Sequence, residues 1–277
     1  MPARKQLLPV AILSGLAAVL TLIAAAAGLF VPNFYEPVMP ANFLIGAYAQ
    51  DLIAIGVALI LLGTMVLGLR GSVRALPVWA GCLGYLIYAY LLWSFDAVYT
   101  VLYPAYLAIL SLSLFAVIIL LGRIDAGALR RQVMENLPAR STAAMLLLPA
   151  VMLVPWLVFV LQGVAAQTPP ATNSVLVIDL TFIIPASVLT AVLLWRRQTW
   201  GIIFAGVMLL KMTTMGLALA ISAVWGGFAG LAVDPMLPLY GAYTLLGGAA
   251  LVRYLRYVGG DAERKEAVVG RVRVEGR

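Results

Sequence analysis

An all-α bundle of eight membrane-spanning helices is the fold class this chain predicts, and three observations predict it. Its 277 residues are 64% hydrophobic and 10% charged. A soluble domain carries about 25% charged residues, so this chain has too little polar surface to face water, and its solvent is lipid. Eight apolar runs reach the ~20 residues needed to cross a bilayer as a helix. They lie at roughly 7–31, 43–69, 77–97, 98–122, 143–166, 174–195, 200–225 and 236–257. Finally, of 18 Lys and Arg residues, all but Lys211 fall at alternate ends of those runs.

Taken in order, Arg4 and Lys5 precede the first run. They resemble the n-region of a signal peptide, but an h-region has about 7–15 residues and this run is much longer, so an uncleaved span is expected. Arg70 and Arg74 follow the second run. The third and fourth are separated only by Ser94, Asp96 and Thr100; together they are too long for one crossing, which predicts a tight hairpin. Arg123, Arg130, Arg131 and Arg140 precede the fifth run, and Arg196 and Arg197 lie between the sixth and seventh. Arg253, Arg256 and the remaining basic residues end the eighth run or follow it. The other four connections hold Glu36, Asp96 and Asp234 and no Lys or Arg. Lys and Arg accumulate in cytoplasmic loops, so both termini are expected in the cytoplasm. The Ala- and Arg-rich, Lys-poor usage suggests a bacterium with a GC-rich genome, and for helical spans the expected location is then its inner membrane.

The net charge of +7 is then a loop bias and not a nucleic-acid footprint. The bilayer is the expected partner, with membrane-protein subunits as the other class. There is no histidine and one cysteine, Cys82. That excludes His-ligated metals, a Ser-His-Asp triad and an intrachain disulfide. No cofactor, metal site or catalytic residue is predicted.

Short matches relate the two halves. Leu102-Tyr103-Pro104-Ala105-Tyr106 opens the fourth run and Leu239-Tyr240-Gly241-Ala242-Tyr243 the eighth. Asp51-Leu52 and Asp179-Leu180 occupy matching places in the second and sixth. The expected organisation is a first four-helix repeat over 1–122 and a linker over 123–142. A second repeat over 143–257 and a charged tail over 258–277 complete it. Four spans per half give a parallel repeat about an axis along the membrane normal. Within the linker, Leu129, Val133 and Leu137 share a helical face, which fits a short helix on the membrane surface or a solvated linker.

Lys211 is the most informative residue. It lies ~16 Å from the inner end of its span, where a lysine costs roughly 3 kcal/mol or more unless paired or hydrated. Asp179 and Asp51 lie ~8 and ~12 Å below the outer surface by the same rise. The three form the candidate ligand or proton site, with Gln50, Tyr85, Tyr88, Thr213 and Thr214 as supporting polar residues. Pro185 must free the carbonyl of Thr181 and bend the sixth helix. Gly56, Gly63, Gly206 and Gly216 permit close helix approach. The outer aromatic residues, Tyr35, Tyr106, Tyr240 and Tyr243 among them, fit interfacial anchoring or a vestibule.

Gln50-Asp51-Leu52, Asp179-Leu180, Pro185, Trp195-Arg196-Arg197 and Trp200-Gly201 resemble a group of bacterial multi-pass membrane proteins. That resemblance implies the architecture and no activity. Three functions stay open. One is binding or transport of a small polar or ionic solute, or a proton, at the Asp/Lys site. The others are an accessory subunit of a membrane complex and a lipid- or isoprenoid-modifying enzyme, for which intramembrane acids would supply protons.

The orientation is tested by cysteine labelling in a Cys82→Ser background. Ala171→Cys is expected to react with an impermeant maleimide on intact cells, and Arg197→Cys only after permeabilisation. The reverse pattern overturns the assignment.

Overall fold

The computed structural model describes residues 4–125, 127 and 137–258. Apart from residues 127 and 137, the expected surface helix at 126–137 lies outside them, as does the tail after Val258. The described chain is helical, without strands. Helix α1 runs Arg4–Phe30, α2 Ala41–Leu69, α3 Ala75–Phe95 and α4 Tyr103–Arg123. The fifth run forms α5, Ala139–Leu146, a 3₁₀ turn at Leu148–Met152, and α6, Leu153–Ala166. The sixth forms α7, Asn173–Ile178, a π turn at Asp179–Ile183, and α8, Ile184–Trp195. Helices α9, Thr199–Phe228, and α10, Leu237–Tyr257, follow.

Among the described residues, seven of these segments are long and apolar enough to cross a membrane. The α10 helix has 21 residues and carries Arg253 and Arg256 in its last turns. The molecule is therefore an apolar helical bundle of the multi-pass membrane type.

Prolines explain where the fifth and sixth runs depart from single helices. Pro149 lies inside the 3₁₀ turn; its ring lacks an N–H and collides with the carbonyl four residues earlier. The expected span at 143–166 is thus two helices. Pro185 sits in the first turn of α8, directly after the π turn. The expected bend takes the form of one widened turn, in which Thr181 Oγ1 donates back to the Val177 carbonyl.

The first four helices close a ring in which α1 packs on α2 and α4, and α3 on α2 and α4. In the rest, α8 packs on α5 and α9, and α9 on α10. The α9 helix also meets α2 and α3 and so joins the two parts. At the arginine-rich end, Arg74 Nε donates to the Val258 carbonyl at 2.7 Å. In the interior, Trp79 Nε1 donates to Ser14 Oγ and Tyr254 OH to the Ile202 carbonyl, both at 2.8 Å. The parts are not equally enclosed: 72% of the apolar window of α3 is buried, but only 6% of the window over Ala139–Ala166.

Gly28, Gly201, Gly206, Gly216 and Gly247 leave less than 3 Å for a Cβ, and at Gly201 and Gly216 the obstacle includes backbone. Gly201 passes against the backbone of Leu193 and Leu194 at the α8–α9 turn. A Cβ on Gly216 would lie 2.7 Å from Tyr243 Cβ and 2.8 Å from Thr244 N, so this glycine sets the α9–α10 spacing. Gly56 and Gly63 are different: a Cβ there meets nothing within 4 Å, and the close approach expected of them does not occur.

Gly216→Ala is expected to destabilise the protein by about 1–3 kcal/mol, the usual cost of overpacking. Gly56→Ala should be neutral or slightly stabilising, because it only gains helix propensity. Thermal unfolding of both variants in detergent checks this, and equal melting temperatures would contradict it.

Candidate functional site

The site begins with one face of α9. Met208, Met212, Met215 and Leu219 recur at three- and four-residue spacing, with Lys211 among them, so all five stand on one side of the helix. Opposite them lie Met152, Trp156 and Phe159 from the broken fifth segment and Asp179 from the π turn. Tyr240 and Tyr243 of α10 complete the wall. Together these residues enclose a cavity of about 390 Å³, within the range of about 300–1,000 Å³ usual for small-molecule sites.

Lys211 is 7% exposed. Its Nζ lies 3.5 Å from the centroid of the Tyr88 ring, directly over its face. It makes no hydrogen bond or ion pair with any described residue. The direct Lys211–Asp179 contact that the span order makes plausible is replaced by an aromatic intermediary. The Tyr88 hydroxyl donates to Asp179 Oδ1 at 3.3 Å, and Trp156 Nε1 donates to Oδ2 at 3.1 Å. Each carboxylate oxygen therefore has a donor, and the ring between the charges stabilises the ammonium through its quadrupole. The phenols of the wall are also engaged. Tyr240 donates to Asp234 at 3.2 Å and Tyr243 to the Leu148 carbonyl at 3.4 Å.

The other site residues expected from the sequence separate from this pair. Asp51 is 2% exposed and lines neither this cavity nor its neighbour. It faces α1, pressed against Gly28, and accepts a 2.7 Å hydrogen bond from Tyr35. Tyr35, in the α1–α2 connection, stacks on Trp93 with centroids 5.6 Å apart. Burial first, and the adjacent Asp51 second, push the Tyr35 pKa well above the usual phenol value, so its hydroxyl stays a donor. Gln50 Nε2 donates to Tyr85 OH at 2.8 Å. Thr213 and Thr214 spend their hydroxyls on α9 carbonyls, at 2.8 Å to Leu209 and 2.9 Å to Leu210. Of the supporting residues, only Tyr88 joins Lys211 and Asp179.

Gln50 lines a second cavity, also about 390 Å³, that reaches Asp96 and the 31–40 connection. The two cavities share Thr172, Val175, Met215 and Leu219. Hence Met215 and Leu219 stand between a chamber that reaches the arginine-free connections and the chamber that holds Lys211.

Trp156 and the methionine lining were not expected from sequence. The spacing of Met208, Met212 and Met215 around Lys211 carries that signal. The placement of Trp156 does not follow from sequence, because it depends on the break at Pro149. Comparison with protein-family models, curated proteins and solved structures finds no match.

Tyr88→Leu removes both the ring under Lys211 and the donor to Asp179, whereas Tyr88→Phe removes only the donor. The first is expected to lose about 1–2 kcal/mol more stability than the second, the size of a desolvated cation–π contact. Unfolding of the two variants in detergent measures the difference. Equal losses would mean that the ring does not stabilise the ammonium.

Proposed function

We propose that the protein resides in a bacterial inner membrane and binds or carries a small polar or ionic solute, or a proton, at the Lys211–Asp179 cavity. Both termini lie in the cytoplasm on this reading, and α10 is the eighth span. The distribution of Arg and Lys supports the orientation. A parallel repeat is supported by the packing: α3 and α9, the third span of each half, meet at the junction. The resemblance of its short motifs to those of bacterial multi-pass membrane proteins fits this architecture.

One observation carries the functional reading. Lys211 borders a cavity with an ammonium that meets no acceptor among the described residues. A purely structural pair would close on itself, since a charge buried without a partner costs several kcal/mol. Here Asp179 is bound by Tyr88 and Trp156, and the cation is left to the cavity. Asp51, closed by Tyr35, belongs to the helix packing of the first half.

The low burial of Ala139–Ala166 favours a second reading, an accessory subunit whose partner covers that segment. Purification in mild detergent with a stoichiometric companion would support it.

The first reading is tested in proteoliposomes with a trapped pH dye under an imposed pH gradient. Lys211→Met and Asp179→Asn are expected to slow the wild-type flux at least tenfold. Rates equal to wild type for both variants would overturn coupling to this site.

A further inference from the structure

Resting on the assignment of the ligand site to Lys211, we propose that its occupant is a single-chain amphiphilic anion. The anionic oxygen would meet the lysine ammonium, and the apolar body would lie along the methionine and aromatic wall.

Lys211 supplies the polar half of the argument. A lysine ammonium has three N–H donors, and none meets a described acceptor. Every other strongly polar group of the wall except Thr172 already has a partner: Asp179 with Tyr88 and Trp156, Tyr240 with Asp234, Tyr243 with the Leu148 carbonyl. The vacant capacity is therefore for an acceptor. An anionic acceptor makes a charge-assisted hydrogen bond, roughly twice as strong as a neutral one. A ligand oxygen touching Nζ would also be nearer than Asp179, which lies beyond ion-pair distance and is bound by its own donors.

The apolar half comes from the lining. Met152, Met208, Met212, Met215 and Met236 surround the cavity with Phe159 and Trp156. Methionine is flexible and polarisable and fits a surface to irregular or varied apolar shapes. A small hydrophilic ion would leave that wall unused and would give up its hydration shell for a single donor group. An apolar chain buries against it and gains with each CH₂ taken out of water. At about 390 Å³, the volume is near the lower end for ligand sites, which favours one chain over a two-chain lipid.

The experiment uses the full chain in nanodiscs of zwitterionic lipid and a terminally brominated undecanoate as the probe. Its bromine quenches tryptophan, and Trp156 lines the cavity. Saturable quenching is expected in wild type. Affinity should fall at least tenfold in Lys211→Met, which removes the cation. It should fall by a similar factor in Met215→Phe, which narrows the chamber from a half-buried position, adds no tryptophan and keeps the lysine. Decanoate should displace the probe at least tenfold better than decanol, acetate or phosphatidylglycerol. Displacement by decanol equal to decanoate overturns the anionic claim, and displacement by phosphatidylglycerol overturns the single chain. Acetate competing as well as decanoate overturns the apolar body but leaves the Lys211 site standing. Quenching unchanged in both variants overturns the ligand class and the site together.

Discussion

A cation held within hydrocarbon has lost its water and must be stabilised by something fixed. In this bundle the fixed partner is the face of Tyr88, 3.5 Å below the Lys211 ammonium. Tyr88 in turn is oriented by its hydrogen bond to Asp179, and Asp179 by Trp156. The chain of contacts runs from α9 through α3 to the π turn and ends on α6. Four segments thus share one electrostatic arrangement. The helix that gains least from packing, α6, is tied to it through Trp156.

The two aspartates at matching places in the halves have opposite fates. Asp51 stands on an uninterrupted helix and is sealed between Gly28 and Tyr35 beneath stacked aromatic rings. Asp179 stands where the helix widens and is half-buried beside a cavity. One half of the molecule is a closed four-helix ring, and the other is interrupted at Pro149 and before Pro185. The cavity that Lys211 lines is built from the interrupted half.

Much of this architecture is written in composition. Run lengths place the helices within a few residues, because hydrocarbon sets their length. The isolation of Lys211 identifies the centre of the site, because a membrane tolerates so few such residues. What could not be read is which way each helix faces. In a soluble helix the polar stripe reveals the buried side, but in lipid both sides are apolar, so Asp51 and Asp179 look alike. Nothing in the sequence relates Asp51 to Gly28 and Tyr35, which only tertiary packing brings to it. Tyr88, expected only as a supporting polar residue, is the bridge between Lys211 and Asp179. The aromatic residues expected at the interface divided likewise: Tyr35 and Tyr106 are 1% exposed and belong to the core, whereas Tyr240 and Tyr243 line the cavity.

The π turn has an evolutionary reading. A widened turn is what a helix forms when it absorbs one additional residue without disturbing its flanks. Each residue advances an α-helix by about 100°, so such an event re-aims the side chains on one side of it relative to those on the other. A single inserted codon near Asp179 is enough to swing an acid from one side of the helix toward another. An acid placed at such a turn changes its neighbours by rotation alone, with no residue replaced.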